Sequence, residues 1–207
     1  MYKDGKFKFG IGGTSYELGA QTPDAPQKMC ANSGKGQHIH LIVDNAPYAA
    51  KYTNEFEYDI EDGEHHMLAF LSRSYHESIK TSAAHTAMTI TTKNKSITDA
   101  NPVQGPMLFY SRPKGTYVGE ADTEKIMLDF YLVNTNLGAD GYKVQADING
   151  EQTETIDTWK PYFLEGLPMG ENTIKLTLLN KDGSVADVPL NPVERTFTLK
   201  EDPAPGQ

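Results

Sequence analysis

Gly36-Gln37-His38-Ile39-His40-Leu41-Ile42-Val43-Asp44-Asn45 places apolar residues at alternate positions and ends on a turn pair. That period of two marks a β-strand with one face toward a core. The same phase returns in Gly141-Tyr142-Lys143-Val144-Gln145-Ala146-Asp147-Ile148-Asn149. There Lys143, Gln145 and Asp147 are costly to bury, so Val144, Ala146 and Ile148 take the core side. Carried to the first copy, the phase makes Ile39, Leu41 and Val43 core residues and turns His38 and His40 outward. Farther on, Tyr162 to Leu176 resembles Phe56 to Ala69, so the chain reads as two related halves, with a chance match as the alternative.

Working outward, alternating runs at Glu55 to Ile60, His66 to Leu71, Thr86 to Thr92, Met107 to Ser111, Ile126 to Val133, Tyr162 to Glu165, Thr173 to Leu179 and Arg195 to Leu199 read as further strands. Asp62-Gly63, Asn149-Gly150 and Asp182-Gly183 supply the turn chemistry between them. The fold class expected is all-β, two tandem immunoglobulin-like β-sandwich domains covering 1–102 and 103–207. The boundary is expected within Thr98 to Pro106, where prolines and polar residues interrupt the pattern, and the tail Glu201 to Gln207 reads as disordered.

A formal net charge of −9 disfavours a nucleic-acid partner, since that contact rests on a basic surface. Nothing approaches the roughly 18 consecutive apolar residues of a transmembrane helix. The single cysteine, Cys30, excludes an intrachain disulfide and paired-thiolate sites; a structural thiol is the expectation. The start, Met1 to Lys8, lacks an apolar signal core, which fits either a cytoplasmic protein or an exported one whose leader is absent from this sequence.

All six histidines lie between His38 and His85. Spacing of i, i+2 on a strand puts His38 and His40 on one face, and imidazole is a common ligand of transition metals. If the two matched strands pair antiparallel, the start of one lies beside the end of the other, which brings Ser72-Arg73-Ser74-Tyr75-His76-Glu77 next to His38 and His40. The candidate site is therefore His38, His40 and His76, with His85 as a fourth ligand. His65 and His66 fall at the far end, roughly 15 to 20 Å away at about 3.3 Å per residue. Three imidazoles suit Zn or Cu; Met29 and Cys30, just before the strand, would tilt the site toward Cu(I). The competing reading is a His-x-His pair that is merely solvated, or packed under a loop with its nitrogens hydrogen-bonded.

Other features carry less. Arg73 with Ser72, Ser74, Tyr75 and Lys80 has the chemistry to bind a small anion. Leu68 and Phe70 fall on the outward phase, an apolar face that calls for cover from the other domain, the linker or a protein partner. Trp159 reads as a core or corner anchor. Gly10 to Ser15 is a glycine-rich turn. No Gly-x-Ser-x-Gly elbow, phosphate-binding glycine loop or His-Glu-x-x-His motif occurs, so no enzyme is expected.

The segments Gly36 to Asp44 and Gly63-Glu64-His65-His66-Met67-Leu68-Ala69-Phe70-Leu71, followed by His76, resemble an uncharacterised bacterial exported-domain family with a histidine-rich strand ending in Asp. That resemblance would select His38, His40, His65 and His76, and so adds His65 to the candidate ligands. The whole chain, including Phe109 to Gly115 and Asn191 to Arg195, is similar to two-domain bacterial envelope proteins often labelled phosphopeptide-binding. The resemblance implies export, to the periplasm or as a cell-surface lipoprotein. The function expected is non-enzymatic binding, of Cu or Zn at the histidines; the alternative is a structural or protein-protein interaction module working through Leu68 and Phe70.

Overall fold

The computed structural model describes residues 1–12, 15–28 and 30–203. Gly13 and Thr14 of the glycine-rich turn, Met29, and the tail residues 204–207 lie outside the described residues. The chain is all-β and divides into two compact units, Met1–Lys28 with Asn32–Gln104, and Met29–Ala31 with Gly105–Gln207. The sequence expectation cut the chain at 102/103 and left Cys30 in the first domain. The division instead falls after Gln104, and Cys30 and Ala31 count with the second unit.

The first unit contains β1 (Tyr2–Lys3), β2 (Lys6–Lys8), β3 (His38–Val43), β4 (Ala49–Lys51), β5 (Glu55–Glu57), β6 (Gly63–Ser72), β7 (His85–Lys93) and β8 (Ser96–Pro102). They form a three-stranded sheet, β1-β2-β5, and a five-stranded sheet, β4-β3-β6-β7-β8, with every pairing antiparallel. Tyr2 and Phe7 from the small sheet meet Ile39, Leu41, Met67, Ala69 and Ile90 from the large one in a common core. Each large apolar side chain so buried contributes about 1.5 to 3 kcal/mol relative to exposure.

The second unit holds β9 (Met107–Arg112), β10 (Gly115–Val118), β11 (Lys125–Val133), β12 (Lys143–Ile148), β13 (Gln152–Ile156), β14 (Tyr162–Glu165), β15 (Gly170–Leu179) and β16 (Val193–Lys200). Its sheets run β14-β11-β9 and β10-β16-β15-β12-β13, the β10-β16 pairing being parallel. Leu128, Phe130 and Leu132 of one sheet pack with Val144, Ala146 and Leu176 of the other. Both units are immunoglobulin-like β-sandwiches. Trp159 donates its indole N–H to the Phe130 carbonyl at 2.9 Å and sits edge-on to Tyr131, the anchor its sequence position suggested.

The two halves share a ladder. In the first, His38 faces Ser72 and Val43 faces Met67; in the second, Lys143 faces Leu179 and Ile148 faces Ile174. Ile39, Leu41 and Val43 lie in the core, as the phase requires. Exposure does not follow phase. Lys143, Gln145 and Asp147 are half-buried, whereas His38 and His40 are 0% exposed. Leu68 and Phe70, expected to offer an apolar face to a protein partner, are 0% and 1% exposed, with the His40 ring 4.9 Å from that of Phe70. These two residues are part of a packed layer, and they present no free surface.

Two other expectations change. Thr98 to Pro102, read as linker, belongs to β8, which tolerates Pro102 because β8 is the edge of its sheet. The hydroxyls of the Arg73 stretch are committed elsewhere. Ser72 Oγ donates to the Arg73 and Glu77 carbonyls, and Ser74 exchanges two bonds with Thr22, its N–H donating to Thr22 Oγ1 and its Oγ accepting from the Thr22 N–H. With both serines fully buried, their hydroxyls are not the part of the stretch that a solvent-borne anion would meet. No helix among the described residues is long and apolar enough to cross a membrane.

Candidate metal centre

β3 positions two of the three converging imidazoles. His38 and His40, two residues apart, project from the same face, and His38 Nε2 lies 2.8 Å from His40 Nε2. Antiparallel pairing sets the end of β6 beside the start of β3, so the chain leaving Ser72 enters the turn that carries the third ring. His76 adopts a left-handed backbone, φ 68°, uncommon for a side chain of this size. Its N–H donates to the Arg73 carbonyl at 2.9 Å, and the Arg73 N–H donates to the Glu77 carbonyl at 2.9 Å. This tight reversal delivers His76 Nδ1 to 3.0 Å from His38 Nε2. The turn is clamped from outside by the Thr22–Ser74 bonds and by the Ser33 N–H donating to the Ser74 carbonyl.

Each nitrogen has a definite role where its partner dictates one. His38 Nδ1 lies 2.8 Å from the Gly36 carbonyl, which can only accept. Nδ1 therefore carries the proton, and in the neutral ring Nε2 presents its lone pair to the centre. An outer hydrogen bond of this kind fixes ring and tautomer in metal-ligating histidines. Gly36 itself needs its positive φ of 81°, and a Cβ there would sit 2.2 Å from the Gly19 carbonyl oxygen. Gly36→Ala is expected to cost about 1 to 3 kcal/mol or more and to disturb the Gly36 carbonyl that holds His38 Nδ1. Gly34→Ala, with open space around it, should stay within about 0.5 kcal/mol; urea unfolding of the two variants checks the contrast.

Aromatic rings wall the cluster. Tyr48 stacks on His40 with centroids 3.6 Å apart and planes 8° from parallel, and its hydroxyl lies 3.2 Å from His76 Nδ1. Tyr52 lies 4.9 Å from His38. Sequence reasoning did not pick out these tyrosines. The signal was the Asp44-Asn45 pair, whose φ values of 51° and 55° make a tight hairpin turn and send the chain back along β3 as β4. Tyr16 hydroxyl reaches the Ser72 carbonyl at 2.6 Å and the His38 carbonyl at 3.1 Å, tying the two strand ends together.

The ligand atoms of His38, His40 and His76 all lie within 4.8 Å of one another, and among the described residues no other histidine, cysteine or carboxylate joins a group of this kind. His85 begins β7 opposite Phe70, which is itself opposite His40. Two strand spacings, about 10 Å, separate His85 from His40, and its Nδ1 donates to the Thr81 carbonyl at 3.3 Å. It is not a fourth ligand. Cys30 lies in the second unit, outside the group.

His65 is also excluded, for a chemical reason. Its Nδ1 donates to Asp44 Oδ2 at 2.6 Å and its Nε2 to the Glu61 carbonyl at 2.9 Å, leaving no lone pair for a metal. Burial alone would lower its pKa, but the Asp44 and Glu61 hydrogen bonds and the charges of both residues outweigh it and hold it above the ordinary histidine value. Stability from the charged ring is therefore complete below the unfolded value of about 6.5 and is lost as pH rises through the raised folded value. His65→Gln should flatten that part of the stability profile, measured as urea midpoints between about pH 5.5 and 8.5; parallel profiles for the two proteins would refute the assignment.

No protein-family model matches this sequence, and comparison with curated proteins returns no match. Among solved structures, the chain is similar to fibronectin(III)-like modules of Clostridium thermocellum CbhA, at 14% identity and TM-score 0.35, over 47% of this chain and 100% of that one. It is also similar to Bacteroides ovatus SGBP-B of a mixed-linkage glucan utilization locus, solved with a mixed-linkage heptasaccharide, at 9% identity and TM-score 0.26. That match covers 79% of this chain and 60% of the other. With TM-scores this low, neither likeness bears on function. Fold and cluster together define an all-β protein of two sandwich units that carries a three-imidazole centre in the first.

Proposed function

We propose that this protein is a non-enzymatic bacterial envelope protein, periplasmic or on the cell surface, that holds a copper or zinc ion through His38, His40 and His76. The observation that carries the reading is the convergence of three ring nitrogens at contacts of 2.8 and 3.0 Å, two of them on fully buried side chains. Nitrogens bound to one tetrahedral ion at about 2.0 to 2.1 Å stand about 3.3 Å apart, so admitting an ion requires the two His38 contacts to lengthen by a few tenths of an ångström, within a group whose ligand atoms all lie within 4.8 Å of one another. Intrinsic affinity at a nitrogen site favours Cu(II) over Zn(II). The envelope location rests on the family resemblance of the histidine-bearing strands.

Calorimetric titration of tag-free protein with Cu(II) and with Zn(II) tests the reading. Binding is expected at one ion per chain with submicromolar affinity, and a His38→Ala/His40→Ala variant should lose it. Weak binding that is unchanged in the variant would assign the histidines to packing.

A further inference from the structure

We propose that the first unit carries a second binding site, separate from the three-histidine centre: a cavity of about 330 Å³ that takes one small, uncharged, mainly apolar molecule. Clefts that hold small organic ligands begin at about 300 Å³. The site arises from a mismatch between the two sheets. β1, β2 and β5 are two or three residues long, whereas β3 and β6 of the facing sheet run to six and ten. Tyr2 and Phe7 share the core with Leu41, Val43 and Met67. Toward the start of β3 the sheet is met by loops instead of strands, and the cavity lies there.

Ladder register defines the floor. Ile39 lies opposite Leu71, and Ala69 opposite Thr86, so these four side chains share the core face of three adjacent strands. Phe9 and Ile11, in the chain leaving β2, form the opposite wall, and the short 3-10 turn Ser82–Ala84 closes one side. Phe9 is held by its N–H donating to the Asn54 carbonyl at 2.8 Å and by stacking on Phe7 with centroids 5.4 Å apart. Gly10 and Gly12 also line the cavity. Neither has a positive φ, and a Cβ on either would meet nothing within 4 Å. Neither turn geometry nor close packing calls for glycine at these positions, and the missing side chains leave the wall open.

The walls set the chemistry of the ligand. No lysine, arginine, aspartate or glutamate is among the described residues that line the cavity, so an ion entering it would lose hydration without a fixed counter-charge. Phe9, Ile11 and Leu71 are only partly buried, and a bound apolar group would cover the surface that they keep in contact with water. The Tyr16 hydroxyl at the edge is bonded to the Ser72 and His38 carbonyls. Thr86, on the floor, is placed to meet one hydroxyl or carbonyl of the ligand. A medium-chain alcohol or a small aromatic compound has this character; a sugar or a carboxylate does not.

The test titrates the tag-free full chain, without added metal, with N-phenyl-1-naphthylamine, an uncharged dye whose emission rises in apolar surroundings. Saturable emission is expected at one dye per chain, with a dissociation constant of about 10 μM or tighter. At neutral pH 1-octanol should displace the dye about ten-fold or more better than octanoate, whose carboxylate resists transfer into an uncharged cavity. Thr86→Phe adds a ring to the floor of the cavity, and Ala83→Phe adds one at the turn. Ala83 is exposed, so the second variant keeps the test open should the first fail to fold, as checked by circular dichroism. In either folded variant the affinity for the dye should fall by about ten-fold or more. No saturable emission from the wild type, or an affinity unchanged in the folded variants, would overturn the site. Equal displacement by 1-octanol and octanoate would overturn the assignment of an uncharged ligand.

Discussion

Saturating Cu(II) or Zn(II) is expected to raise the thermal unfolding midpoint of the first unit by about 10 to 20 °C. A ligand at a hundred times its Kd adds about 2.7 kcal/mol to the folded state. For a unit of about 100 residues each kcal/mol moves the midpoint by about 4 to 8 °C. The site spans two separate pieces of the first unit's chain, β3 and the turn after β6. An ion that ties them together stabilises their common arrangement and has no equivalent site in the unfolded chain. His38→Ala/His40→Ala should abolish the shift, whereas His65→Gln should retain it, because His65 spends both ring nitrogens on Asp44 and Glu61. Equal shifts in the wild type and the double variant would mean that the ion binds elsewhere.

The second large effect concerns Phe70. Truncation to alanine is expected to destabilise the protein by about 3 to 5 kcal/mol, the range for a buried phenylalanine. The ring is 1% exposed and packs beside His40, so the cavity would open against the histidine cluster itself. Had Phe70 belonged to a free docking face, its removal would cost no more than about 0.5 kcal/mol. Urea unfolding distinguishes these outcomes, and a near-neutral Phe70→Ala would restore the docking interpretation.

The histidine triad was legible because strand phase and antiparallel pairing are properties of the sequence pattern. His38 and His40 had to share a face, and the residues after Leu71 had to lie next to them, as the register His38 to Ser72 shows. His65 was mistaken for a ligand by resemblance, since only the fold reveals that Asp44 and Glu61 claim its two nitrogens. His85 was misplaced because the turn between β6 and β7 hides which of two nearby histidines returns to β3. The strands of the pattern with one apolar face were readable. Those missed, β1, β2, β4, β8, β10 and β13, are short or lie at sheet edges; β13, Gln152–Ile156, has a single buried residue and hence almost no periodic signal.

Burial of the histidine face was the larger surprise. The repeat assigned His38 and His40 to the side opposite the core correctly, but Tyr48, the His76 turn and the packed residues around Phe70 turn that side into a second interior. Nothing in β3 itself announces such a layer. Its nearest sequence sign is the run of apolar residues at Ile42, Leu68 and Phe70, on the face that alternation would have left to solvent.

The most direct test of the metal reading is an anomalous difference map from crystals of the tag-free protein soaked in zinc or copper salt, recorded above and below the absorption edge of the metal. One peak is expected per chain, at about 2.0 to 2.1 Å from His38 Nε2, His40 Nε2 and His76 Nδ1. A well-diffracting soaked crystal with no peak there, or with its only peak at His65 or His85, would contradict the assignment of these three histidines as a metal centre.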